Sequence, residues 1–166
     1  MRTVWRLGVI AAWIVAAGGG PGHAQVELDR VVVRVGTRVI THSDLRQAML
    51  LKLCDDVSSE AVVQRCLEDR WLILGEIERS APLPPASESD LASRRAVWER
   101  RVGGAAAVPG LLSKAGMGES ALQAWLRDDL RIQSYLDRQF EAVPPADRAR
   151  ATSEWINRLR QRARLK

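Results

Sequence analysis

The chain has 166 residues, a formal charge of +5 and 27% charged residues, with arginine outnumbering lysine 22 to 3. That length allows one domain with its own core and excludes two ordinary ones. The charge excess is mild, and most basic residues alternate with acids along helical stretches such as Glu68-Asp69-Arg70, the pattern of solvated faces rather than of a nucleic-acid surface.

Residues 1–24 carry the marks of a cleavable secretory leader. Arg2 and Arg6 precede an apolar run from Leu7 to Ala17, Gly18-Gly19-Gly20-Pro21 breaks it, and the small residues Gly22 and Ala24 flank His23 as a cleavage site requires. The run has 11 residues. A membrane span needs about 20, so no stable membrane anchor is expected. No cysteine follows the run to accept a lipid. Cleavage near Ala24/Gln25 would release the protein into the periplasm, and removal of the two leader arginines lowers its charge from +5 to +3.

Past the leader, Val31-Val32-Val33-Arg34-Val35 and Arg38-Val39-Ile40-Thr41 are β-branched runs on either side of Gly36-Thr37, the pattern of a β-hairpin. Two strands need a helix to cover them. Thr41 and Asp44 have the spacing of a capping box, and a first helix is expected from there to about Leu53, with Leu45, Ala48 and Met49 on its apolar face. Asp55-Asp56-Val57-Ser58 then marks a turn with a helix cap.

A longer helix is expected over 59–80. Val63, Leu67, Trp71, Leu74 and Ile77 recur at spacings of three and four, and Pro82, Pro84 and Pro85 end it. Ser87 to Asp90 repeats the capping-box spacing, and Leu91, Arg95, Trp98 and Val102 continue as a third helix. The glycines of 103–118 and Pro109 predict a loop around one short turn at 111–115.

From Ser120 to Glu141, Leu122, Trp125, Leu126, Asp129, Ile132, Leu136 and Phe140 fall on or near one stripe of another long helix. Pro144-Pro145 separates it from a last amphipathic helix carrying Trp155, Ile156 and Leu159. The closing residues Arg162 to Lys166 alternate basic with apolar, which also suits a short edge strand. Arg158, Arg160, Arg162, Arg164 and Lys166 put five cations in nine residues, a cluster able to touch nucleic acid, acidic lipid or an acidic client. The expected fold class is mainly α: a helical core with a small N-terminal hairpin and a C-terminal helix.

Cys54 and Cys66 are the only cysteines. After export they either bridge, stapling two helices across their turn, or stay as buried thiols. A redox Cys-x-x-Cys is absent, and two thiols with His42 are too few for a structural zinc site, so no metal and no cofactor are expected. His42-Ser43-Asp44 holds the residue types of a hydrolase triad, but neighbours at a helix start diverge, and capping explains them. Asp55-Asp56 and Asp128-Asp129 are adjacent carboxylates rather than opposed ones, and read as a turn and a solvated helix face. No phosphate loop is present, so ATP use is not implied. No catalytic residue is assigned.

In this order of elements, Asp29-Arg30-Val31, Val35-Gly36, Val39-Ile40-Thr41 and Ser43-Asp44-Leu45 resemble the opening strand pair and first helix of the SurA-type chaperone core. Residues 67–80 and 122–140 are similar to that family's second and later core helices, and Trp155-Ile156-Asn157-Arg158-Leu159-Arg160 to its closing helix. The likeness is good over 28–80, fair over 119–165 and poor over 81–118. The family often has Asn where this chain has Gly36, and usually inserts parvulin prolyl-isomerase domains where only Glu141 to Asp147 stand here.

The resemblance implies one core domain over 25–166 that binds unfolded or partly folded exported proteins in an apolar groove; with no room for a parvulin domain, the family's isomerase activity is not carried across. Groove candidates are Trp98, Val102, Leu111, Leu112, Met117 and Trp125, the loop residues foremost because glycines flank them. The tryptophans, Trp71 and Trp155 included, are expected mostly in the core. Two alternatives stand beside this reading. One is a non-catalytic subunit for one dedicated partner, which could act as a homodimer through exchanged terminal helices; the other is a prolyl isomerase with an unrecognised site.

Overall fold

A computed structural model describes residues 29–80 and 84–164. The leader expected over 1–24, Pro82, and the closing Leu165 and Lys166 lie outside the described residues.

Two antiparallel strands, β1 (Val31–Val35) and β2 (Arg38–Thr41), form the hairpin. Gly36 takes the positive φ of 60° at the first turn position, which a side chain would resist. Val31 faces Thr41 and Val33 faces Ile40, so β1 carries one extra residue, a bulge that sharpens the twist of the ribbon. Ile40 is wholly buried.

Helix α1 (His42–Leu50) opens with the expected capping box: the Asp44 amide donates to Thr41 Oγ1 and the Thr41 amide donates to Asp44 Oδ2 at 2.8 Å. It stops earlier than periodicity predicts, at Leu50 rather than Leu53. Lys52 takes a left-handed φ of 47°, and the amides of Lys52 and Leu53 turn back to the Met49 and Ala48 carbonyls, closing the helix in a Schellman arrangement.

Helix α2 (Glu60–Arg79) begins at Ser59, whose side chain accepts from the Val62 amide. Asp56 caps the preceding turn by accepting from the Ser58 amide at 2.8 Å. Helix α3 (Glu88–Val102) opens with the Ser87–Asp90 capping box.

The glycine-rich stretch departs from expectation. A single 3-10 turn (Ala105–Ala107) leads into α4 (Val108–Ala115), a helix of two turns with Pro109 in its first turn, where a missing amide costs nothing. Gly116, at φ 63°, ends it, and the Met117 amide returns to the Leu112 carbonyl.

Helix α5 (Glu119–Gln139) and α6 (Pro145–Arg164) complete the fold. Over 162–164 the edge strand considered for the closing residues gives way to helix, these residues continuing α6. Among the described residues, no helix is long and apolar enough to cross a membrane.

Two apolar clusters run along α2. One gathers Ile40, Leu45, Leu51, Val63, Leu67, Trp98, Leu112, Leu122 and Leu126 from the hairpin, α1, the first half of α2, and α3, α4 and α5. The other joins Ile73, Leu74 and Ile77 of α2 to Tyr135 of α5 and Leu159 of α6. Trp71 packs against both.

Candidate functional site

The six expected groove residues all belong to the first cluster, but as its interior and flanks. Trp98 is 4% exposed and Leu112 7%, while Val102, Leu111, Met117 and Trp125 pack half-buried against the same cluster. Trp98 Nε1 donates to the Leu51 carbonyl at 2.8 Å, so its one polar atom is spent tying α3 to the end of α1. Met117 follows the helix-ending Gly116, the position at which a Schellman turn lays an apolar side chain back on its helix. The expected loop is therefore a helix whose Val108 and Leu112 are buried in that cluster.

Of these six residues, Trp125 also lines a large cleft, about 740 Å³, together with both cysteines. Cys54 and Cys66 are joined in a disulfide across a sequence separation of 12. The same cleft contains Arg70 and Asp129, and here two sequence readings need correction. Glu68-Asp69-Arg70 is not a solvated face: Arg70 is buried, at 6% exposure. Asp128-Asp129 is not a solvated face either, since Asp129 accepts a hydrogen bond from Arg70 Nη1 and Asp128 lies 3.8 Å from Nη2.

Arg70 Nη2 donates to the Trp125 carbonyl at 2.7 Å, and the guanidinium lies 3.7 Å from the Trp125 ring centroid. Burial pushes the Arg70 guanidinium below its ordinary pKa, with Asp129 and Asp128 opposing. Burial likewise raises the Asp129 carboxyl, with Arg70 opposing. Both directions express the desolvation cost of enclosing an ion pair. This cleft is bound up with the core's own polar network.

A second cleft, about 830 Å³, opens between the hairpin turn, the second half of α2 and the end of α6. None of the expected groove residues lines it. Its walls are Val35 of β1, Trp71, Leu72 and Leu74 of α2, and Leu159 and Ala163 of α6. Gly75 stands in the α2 wall without a side chain.

Four arginines and two glutamates surround this apolar lining: Arg34, Arg38, Arg79 and Arg162, with Glu76 and Glu78. Arg38 lies 4.8 Å from the Trp71 ring centroid and 3.5 Å from Glu78. Glu76 is shared by Arg79 at 2.9 Å and Arg162 at 3.3 Å. The Arg38–Glu78 pair is exposed, Glu76 is half-buried beneath two exposed arginines, and such pairs are individually weak.

Two of the tail's arginines are engaged by acids of α2. Arg160 binds Asp69 through Nε at 2.7 Å and Nη2 at 2.6 Å, clamping α6 to α2, and Arg162 faces the cleft. Among the described residues, no group of three or more His, Cys, Asp or Glu is arranged to hold a metal ion.

Comparison with known proteins identifies no relative: no family model, no curated protein and no solved structure matches the chain.

Proposed function

We propose that this protein is an exported, ATP-independent chaperone of the periplasm that binds unfolded or partly folded envelope proteins. The observation that supports the reading is the second cleft, of about 830 Å³, lined by Val35, the half-buried Trp71 and Leu72 and the edges of the buried Leu74 and Leu159, and rimmed by charge. Its volume lies within the range of pockets that enclose ligands, and aromatic and aliphatic walls favour apolar side chains of many shapes. A disulfide between Cys54 and Cys66 is compatible with the oxidising compartment an exported protein meets. The likeness of its strand pair, first helix and closing helix to the SurA-type core adds to the reading, and so does the leader pattern of residues 1–24.

The test is dilution of two unrelated, chemically unfolded outer-membrane β-barrel proteins into near-stoichiometric protein without ATP, followed by light scattering. Suppressed aggregation of both is the expected result. No suppression overturns the chaperone reading, and suppression of one client alone identifies a subunit for a dedicated partner instead.

A further inference from the structure

We infer that the cleft between the hairpin turn, α2 and α6 selects an extended polypeptide segment whose apolar side chains are flanked by carboxylates. The inference rests on the reading of that cleft as the client site, and names what kind of client segment it takes.

The first observation is the charge around the opening. Four guanidinium groups, from Arg34, Arg38, Arg79 and Arg162, share two carboxylates, Glu76 and Glu78. Glu76 already serves both Arg79 and Arg162, and the Arg38–Glu78 pair is held at 3.5 Å with both side chains more than half exposed. Carboxylates arriving from outside complement this excess, whereas lysines meet like charge. Arg38 is also positioned beforehand, its guanidinium stacked 4.8 Å from the Trp71 ring that forms part of the apolar floor. A bound segment thus finds an apolar surface and a cation side by side.

The second observation is Gly75. A glycine inside a helix weakens it relative to alanine, and nothing in the fold requires one at this position. Its φ lies outside the left-handed region, and an added Cβ would meet only the Arg79 guanidinium, at 3.6 Å and 3.8 Å, in ordinary contact. The bare backbone at Gly75 lets the Arg79 guanidinium, held by Glu76 at 2.9 Å, lie close against this turn of α2 in the cleft wall, where a longer side chain would displace it into the cleft.

The experiment measures fluorescence anisotropy of two labelled short peptides with the same leucine pair, flanked by glutamate in one and by lysine in the other, against the protein purified after export. The glutamate-flanked peptide is expected to bind about fivefold to tenfold more tightly at low salt, from two or three weak rim contacts, with the ratio shrinking as ionic strength rises. Arg34→Glu is expected to narrow the ratio. Gly75→Leu is expected to abolish binding of both peptides while circular dichroism and the melting temperature show an intact fold; Gly75→Ala, which fills less of the trough, should bind more weakly and melt no lower than the parent.

Equal affinity for the two peptides overturns the charge selection, even if aggregation is still suppressed. Unchanged binding by Gly75→Leu places the peptide elsewhere and overturns the assignment of the cleft. Selective, Gly75-dependent peptide binding without any suppression of aggregation upholds the cleft's specificity and defeats only the chaperone reading beneath it.

Discussion

Arg70 ties α2 to α5 through Asp129, the Trp125 carbonyl and the Trp125 ring. Removing one member of such a pair leaves the other enclosed without compensation. Arg70→Met is therefore expected to destabilise the fold by about 2–3 kcal/mol, somewhat below the loss typical of a deeply buried pair because Asp129 retains partial exposure. Adding Asp129→Leu should recover most of that loss, so that chemical denaturation of the two single variants and the double variant yields a large coupling energy. Trp98→Phe tests a different role. It leaves the buried Leu51 carbonyl without its donor and should cost about 1–3 kcal/mol in a denaturant titration, with no change in peptide affinity. The ion pair was partly legible. Arg70 lies three residues after Leu67 and four before Leu74, and Asp129 stands on the apolar stripe of α5, so a base and an acid each interrupt a core face. What one chain pattern could not reveal is that the two interruptions meet.

At the scale of elements, most boundaries follow from local chemistry. The Thr41–Asp44 and Ser87–Asp90 boxes, the Gly36 turn and the Ser59 cap are each satisfied within a few residues, and each is visible in the sequence. Helix α4 is the exception. Glycines that read as breakers serve as its stop at Gly116 and as an interior residue at Gly110, and the helix exists because Val108 and Leu112 are covered by the first cluster. The Cys54–Cys66 bond staples the α1–α2 connection. Its reduction, or the pair Cys54→Ala and Cys66→Ala, should remove about 3 kcal/mol in the chain-entropy view and lower the melting temperature by about 10 °C. A second staple is electrostatic, Arg95 of α3 to Glu119 at the start of α5. The hydrogen bond from Arg95 holds the Glu119 carboxyl below its ordinary pKa. Between that lowered value and the unfolded one near 4.3, the unfolded chain binds more protons. The stabilisation is thus present above the unfolded pKa and lost as pH falls through the folded one. Glu119→Gln should show a shallower acid limb in stability against pH, and an unchanged limb would refute the clamp.

At the scale of the molecule, α2 is the shared spine of both apolar clusters, and Trp71 joins them. With α6 clamped to α2 by Arg160 and Asp69, neither cluster can open without exposing the other. Thermal unfolding is therefore expected as one transition, coincident by far-ultraviolet and near-ultraviolet circular dichroism. Two separated transitions would divide the chain at α6. The same arrangement makes the second cleft, because residues 34–38, 71–79 and 159–163 come together only when the hairpin and α6 dock on α2.

The sequence by itself determined the mainly helical class, the hairpin and its turn, the caps, and the two cysteines able to bridge. These depend on hydrogen bonds and side-chain periodicity within a few residues, where the spacing is the geometry. Only the tertiary structure decided that Trp98 and Leu112 are interior, that Arg70 reaches Asp129, and that the open cleft lies beside Trp71 and Gly75. Those outcomes depend on which faces of separate helices meet, and a face's partner is chosen by packing over the whole chain rather than by its own residues.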